Sequence, residues 1–242
     1  MSVGGPCWRV NSPKCLPAIP PPCPPPQAGE GVTGLLSRKR GRRYRLLDST
    51  TVPTSRDDAW ALLNEFTKSP HLIKHGLGVE SAMRAYAPKY GGDPETWGVV
   101  GLLHDYDYER YPEVGEHAIK GAEILKERDW PEEIWYGVLS HADYANAPRT
   151  TPMQKVLYAV DELVGFVAAV ALVRPSKAVV DVDVQSVKKK FKDKAFARGV
   201  HREQIFTGAE QLGVDLDQHI QVVIDAMKGN AAALGLAGTP PP

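Results

Sequence analysis

The sequence predicts an all-α fold, and three observations carry that prediction. From residue 55 onward, apolar side chains recur at helical spacing. Helix starts are marked by a capping residue followed by proline, as in Ser69-Pro70, Asp93-Pro94 and Thr151-Pro152. No stretch of useful length alternates apolar with polar residues; the Val/Asp alternation from Ala178 to Val184 is short and adjoins a helix. The expected architecture is a helical bundle with extra C-terminal helices.

Taken in order, Ser55 caps a short helix reaching about Thr67. Ser69-Pro70 opens a helix to about Ala87, Gly91-Gly92 breaks the chain, and Asp93-Pro94 starts a helix that ends near Tyr106. Further helices are expected over 113–128, 131–142 and 152–172, then over 183–197, 201–212 and 216–235. No internal repeat is visible.

Residues 1–54 have a different texture. A proline-rich run from Pro17 to Pro26 is followed by the basic run from Arg38 to Arg45. Such a segment buries too little apolar surface to offset its ordering entropy, so a disordered tail is expected. It reads as a solvated tail, an organelle-targeting peptide or a basic arm. The domain plan is this tail (1–54), a metal-binding helical domain (55–175) and C-terminal helices packed on the same domain (176–242).

Charge separates along the chain. Residues 1–56 hold nine Lys/Arg against Glu30 and Asp48, which leaves 20 basic and 27 acidic side chains downstream. A mildly acidic body does not suit a nucleic-acid groove, which needs clustered positive charge. It suits a cation site. All three cysteines, Cys7, Cys15 and Cys23, lie in the first 23 residues, so the body has no disulfide or thiolate chemistry, which fits a reducing cytoplasm. No stretch is apolar for the length of a bilayer crossing, and a cytoplasmic protein with no membrane partner is expected. Oligomeric state is not readable.

The residues that point to chemistry sit on five predicted helices. His104-Asp105 closes the apolar run Val99-Val100-Gly101-Leu102-Leu103, so two metal-competent side chains emerge where a buried element ends. His75 lies among Leu72, Ile73, Val79 and Met83, while His117 and His141 end or begin helical stretches. Asp161 interrupts the apolar run Val156 to Val164, where an unpartnered carboxylate is costly and calls for a cation or several donors. Each position alone has a plain structural reading as a cap, an ion pair or a satisfied core residue. Five such helices together do not.

In the order His75, His104-Asp105, His117, His141, Asp161, these residues resemble the HD superfamily of metal-dependent phosphohydrolases over roughly residues 60–175. The resemblance implies an HD-domain bundle in which His75, His104, Asp105 and Asp161 hold one ion while Asp105, His117 and His141 hold another. It implies two divalent or mixed-valence transition-metal ions, iron or manganese first and zinc or cobalt as further candidates. Imidazole and carboxylate ligands without thiolate suit those metals. The implied reaction is cleavage of a phosphoester or phosphoanhydride in a nucleotide-like small molecule by a metal-bridging hydroxide, with Asp105 shared by both ions.

Within the superfamily, His75 to Glu80, Leu102 to Asp105, His117 with Gly121, Ser140-His141 and Lys155 to Asp161 are similar to the bacterial diadenosine tetraphosphate hydrolase branch. The sequence departs from many nucleotide-acting relatives just after the pair, where Tyr106-Asp107-Tyr108-Glu109 replaces an expected lysine. Asp107 and Glu109 are therefore candidate catalytic acids, orienters of the histidines, or helix-end charges. Lys120, Arg149, Lys155 and Arg174, with Lys177, are candidate substrate-binding cations. His71 is a candidate neighbour of the site, whereas His201 and His219 read as ordinary surface or capping residues.

The same ligand pattern also resembles mixed-valent diiron oxygenases, and a non-catalytic metal- or nucleotide-binding module keeps the same residues. Cyclic-dinucleotide cleavage is disfavoured, because the lysine after the pair and a Gly-Tyr-Pro signature are absent.

Overall fold

The structure, a computed structural model, describes residues 53–238. The expected tail therefore lies outside the described residues, apart from its last two positions. Ten α-helices and three short 3-10 turns make up the described chain, with one isolated bridge between Ala178 and Ala237. The Val/Asp alternation is a 3-10 turn, Val179–Asp181.

Helix α1 (Arg56–Phe66) starts from a capping box in which Ser55 and Asp58 satisfy each other's backbone N–H groups. Helix α2 (Pro70–Tyr86) begins with proline at its first position, where the missing N–H costs nothing. Asp93 caps α3 (Pro94–Leu103) through the N–H groups of Glu95 and Thr96. Every residue from Trp97 to Leu103 is buried, which makes α3 the central helix. Glycine at 101 permits its close packing on α2, since a Cβ there would stand 3.0 Å from the Val79 oxygen and the Glu80 nitrogen. That approach brings His75 of α2 against the end of α3.

Around this pair stand α4 (Ile119–Glu127), α5 (Glu132–Ser140) and the long α6 (Pro152–Leu172), whose start is a capping box between Thr151 and Gln154. Helices α7 (Val184–Phe191), α8 (Arg202–Leu212), α9 (Leu216–Gly229) and α10 (Ala231–Leu234) complete the bundle. Gly208 lets α8 close on α6, for a Cβ there would fall 2.6 Å from the Ala159 Cα. Among the described residues, no helix is long and apolar enough to cross a membrane.

Four boundaries differ from the sequence reading. Helix α3 stops at Leu103 instead of Tyr106, because the next residues turn to serve the site. The helix expected from 113 starts at Ile119, after Ala118 adopts a φ of 59°. Helix α7 ends at Phe191 rather than 197, and the last expected helix breaks at Asn230 into α9 and α10.

His219, expected at the surface, is fully buried. Its Nε2–H donates to the Ala159 carbonyl at 2.9 Å and its Nδ1 accepts from the Tyr86 hydroxyl at 2.6 Å, tying α9 to α6 and α2. Burial lowers its pKa from 6.5, outweighing the bond to Ala159. The unfolded chain therefore binds this proton more readily than the folded one. Its stabilising contribution is intact above about pH 6.5 and declines as the pH falls below that value. Accordingly, His219→Gln is expected to lose less of its melting temperature between pH 7.5 and 5.5 than the parent does; parallel pH profiles would count against this role.

Candidate metal centre

The end of α3 is built to aim one nitrogen. His104 is the C-cap residue, and its Nδ1–H donates to the Gly101 carbonyl three residues back at 2.8 Å. A carbonyl only accepts, so the proton sits on Nδ1 and Nε2 is left with a lone pair. At the end of α5, His141 repeats the arrangement with the Val138 carbonyl at 2.6 Å. His117 has no helix end to use. Its Nδ1–H donates to Asp107 Oδ1 at 2.9 Å, again freeing Nε2.

The freed nitrogens converge on Asp105, one set on each oxygen. Oδ2 lies 3.3 Å from His104 Nε2 and 3.8 Å from His75 Nε2. Oδ1 lies 3.0 Å from His117 Nε2 and 3.3 Å from His141 Nε2. Asp161, from the middle of α6, completes the first set, with Oδ1 3.0 Å from His75 Nε2 and 3.4 Å from His104 Nε2. Two groups of metal-competent atoms result, His75/His104/Asp105/Asp161 and Asp105/His117/His141, with the atoms of each group within 4.8 Å of one another.

The spacing fits metal ions. Bonds of about 2.1 Å to a common ion place neighbouring ligand atoms roughly 3.0–3.4 Å apart, depending on geometry. His117 Nε2 and His141 Nε2 stand 3.3 Å apart, as do His75 and His104 at 3.2 Å. With the Nδ1 protons of His117 and His141 held by their own partners, the two Nε2 atoms can face each other at this distance when a proton or a metal ion lies between them. Electrostatics agree. Burial opposes the Asp105 charge, but His104, His117 and His141 outweigh it and hold the carboxyl well below the usual range. Asp161 is likewise lowered, by His104 and His75 against its burial. Against their own burial, the carboxylates raise His104 well above its ordinary value and His117 to about 9. The locus attracts positive charge.

Asp107 is not a surface acid. It is fully buried, with Oδ1 on His117 and Oδ2 accepting from the N–H groups of Ala118 at 3.0 Å and Gly121 at 2.9 Å. The positive φ of Ala118 belongs to the turn that brings this N–H to the carboxylate, and a Cβ at 121 would stand 2.9 Å from Asp107. The carboxylate therefore orients His117 and does not face the cleft. Glu109 is also removed from the cage: its Oε2 accepts from the N–H groups of Lys68 and Ser69, capping the start of α2.

The expected cations divide as well. Arg149 lines the cleft beside the cage, donating to Ser140 O and Asp143 Oδ1 and lying 3.7 Å over the Tyr158 ring. Lys120 is paired with Glu123 on an exposed surface, Arg174 stands 3.8 Å from Asp183, and neither these two nor Lys155 and Lys177 line the cleft. Lys74, Tyr108, Tyr144 and Glu162 do line it, and the sequence reading passed over all four. For Lys74 and Glu162 the signal was simple adjacency to His75 and Asp161. Burial and the Asp161 charge raise the Glu162 pKa, and its Oε2 accepts from His201 N. The Tyr144 hydroxyl donates to the His117 carbonyl at 3.2 Å, while the Tyr108 ring meets the His117 ring edge-on. His71 and His201 also line the cleft.

Comparison with known proteins gives one match: residues 72–165 fit the family model of the HD domain, a span that contains every residue of the cage. No curated protein and no solved structure matches the chain.

Proposed function

Starting from an HD domain over residues 72–165, which supports placement in the HD superfamily of metal-dependent hydrolases, we propose that the protein is a phosphohydrolase using two transition-metal ions. One observation carries the reading: the two oxygens of Asp105 face separate histidine sets, Oδ2 toward His75 and His104, Oδ1 toward His117 and His141. A carboxylate so placed is suited to bridging. The first ion would be held by His75, His104, Asp105 and Asp161, the second by Asp105, His117 and His141. Iron or manganese suits these ligands, and zinc or cobalt is chemically compatible.

Ions held there would acidify a bound water and draw charge from the phosphoryl oxygens. The protein's own contribution is positional. Backbone carbonyls of Gly101 and Val138 and the Asp107 carboxylate keep three Nε2 atoms aimed at the cage, so little reorganisation is needed when charge develops. Arg149, locked by Ser140 O and Asp143, offers a fixed positive edge beside His141 for a phosphoryl oxygen. The cage ligands His104, His117 and His141 are buried, while His75, Asp105 and Asp161 are part-exposed toward the cleft, which leaves room for substrate on that side.

The deciding experiment is metal analysis joined to an anaerobic assay. Purified protein supplied with manganese or iron is expected to retain about two ions per chain and to release phosphate from small phosphoesters without dioxygen. Oxygen consumption coupled to substrate, with no phosphate released, would replace the hydrolase reading by an oxygenase.

A further inference from the structure

The cage opens into a cleft of about 1580 Å³, larger than the roughly 300–1,000 Å³ of a typical small-ligand pocket. A phosphoryl group at the cage fills a small part of it. The remainder runs along α6. Counting on from Asp161, the residues Gly165, Ala168, Ala169 and Leu172 share its solvent side, while Leu163, Phe166, Val167 and Val170 turn into the core. Eleven residues of helix carry that line about 16 Å from the cage. Val200 faces it from the segment before α8, and a Cβ at 165 would touch Val200 at 4.0 Å. Leu234 and Leu236 line the cleft as well. Leu172, toward the far end, is 51% exposed although apolar.

Charge excludes another kind of occupant. Outside the cage, the cleft is lined by the cations Lys74, Arg149 and Arg202 and by the carboxylates Asp143, Glu162 and Glu203, which leaves no positive surplus. Arg149 is tied to Ser140 O and Asp143, and Arg202 to the carbonyls of Asp193 and Phe196. Among the described residues, Lys74 alone of these cations has no ion-pair or hydrogen-bond partner. A polyphosphate chain needs several free cations to offset its charge and its lost hydration.

Resting on the phosphohydrolase reading above, we infer that the substrate is a phosphoester of an apolar, extended alcohol, whose hydrocarbon part lies in the α6 groove between Gly165 and Leu172. The phosphoryl end sits at the cage with Arg149 beside it. Dinucleoside polyphosphates and nucleoside triphosphates are not the substrate class. In turnover, water attacks phosphorus, the bond from phosphorus to the alcohol oxygen breaks with its electron pair going to that oxygen, and a proton derived from the water completes the free alcohol beside inorganic phosphate.

The groove is tested by binding, independently of catalysis. Manganese-loaded protein is titrated calorimetrically with straight-chain alkylphosphonates from methyl to octyl, which carry no phosphoester bond. Affinity is expected to rise about fourfold per added methylene over the first several carbons. Ala169→Phe, which fills the groove, should flatten that slope while metal content and melting temperature are kept, and Leu172→Asp should weaken only the longer members. A flat series in the parent protein, or tighter binding of inorganic triphosphate than of octylphosphonate, overturns the inference. A parallel assay follows phosphate release from the matching alkyl phosphates. A steep binding slope with no release would leave the groove standing and remove the hydrolase reading; release without a slope would do the reverse.

Discussion

Replacement of Asp105 by alanine is expected to remove both of the proposed ions at once. Among the described residues Asp105 alone belongs to both sets, with Oδ2 toward His75 and His104 and Oδ1 toward His117 and His141, at 3.0–3.8 Å from the four histidine nitrogens. Without the carboxylate, each set loses an anionic ligand, and the buried imidazoles lose the charge that offsets their mutual repulsion. Metal content should fall from about two ions per chain to none, and turnover should fall with it, well beyond the roughly 10–100-fold loss typical of an outer hydrogen-bond partner. Plasma emission analysis of the purified variant checks the first point. Retention of one full equivalent would show that the halves are independent, which contradicts a shared bridge.

The second large effect belongs to a residue outside the cage. Asp107→Asn keeps the shape but presents an NH2 group where the carboxylate now accepts three N–H bonds, from His117, Ala118 and Gly121. At least one donor is left facing a donor, at a cost of about 1–3 kcal/mol in stability. His117 then loses the charge that holds its proton on Nδ1. Affinity for the proposed second ion should drop about 10–100-fold while the proposed first ion, at His75, His104, Asp105 and Asp161, is retained. Titration of metal-free protein with manganese separates the two steps. Glu109→Gln, at the start of α2, should leave both steps in place. Equal weakening of both ions in Asp107→Asn would mean that this carboxylate supports the fold generally and not His117.

Much of the architecture was legible in the residues because its signals are local. Ser55, Asp93 and Thr151 cap the helices that they were expected to cap. The six cage residues were readable for a related reason: a carboxylate inside an apolar run, or a histidine closing one, is costly to bury unless a cation or a hydrogen-bond partner meets it. What was not legible depends on contacts distant in sequence. Asp107 and Glu109 stand two and four residues after Asp105, yet one turns inward to the start of α4 and the other reaches back to α2. Lys120 shares a helical face with His117 only if the helix begins before residue 117, and it begins at Ile119. Placement of His219 likewise required knowing that α9 packs its polar ring against Tyr86 and Ala159.

The way in which His104 and His141 are held carries one more consequence. Each bonds a carbonyl in the last turn of its own helix, so the place where α3 or α5 stops is also the place where a candidate ligand points. Ligand geometry is thereby referenced to the helix and owes little to the chain that follows. The connections after these ligands, 106–118 and 142–151, can accept insertions or new side chains and so reshape what the cleft admits, provided that Asp107 keeps its hold on His117. Substrate preference and metal chemistry can in this way diverge separately, with the first written in loops and the second in the lengths of two helices.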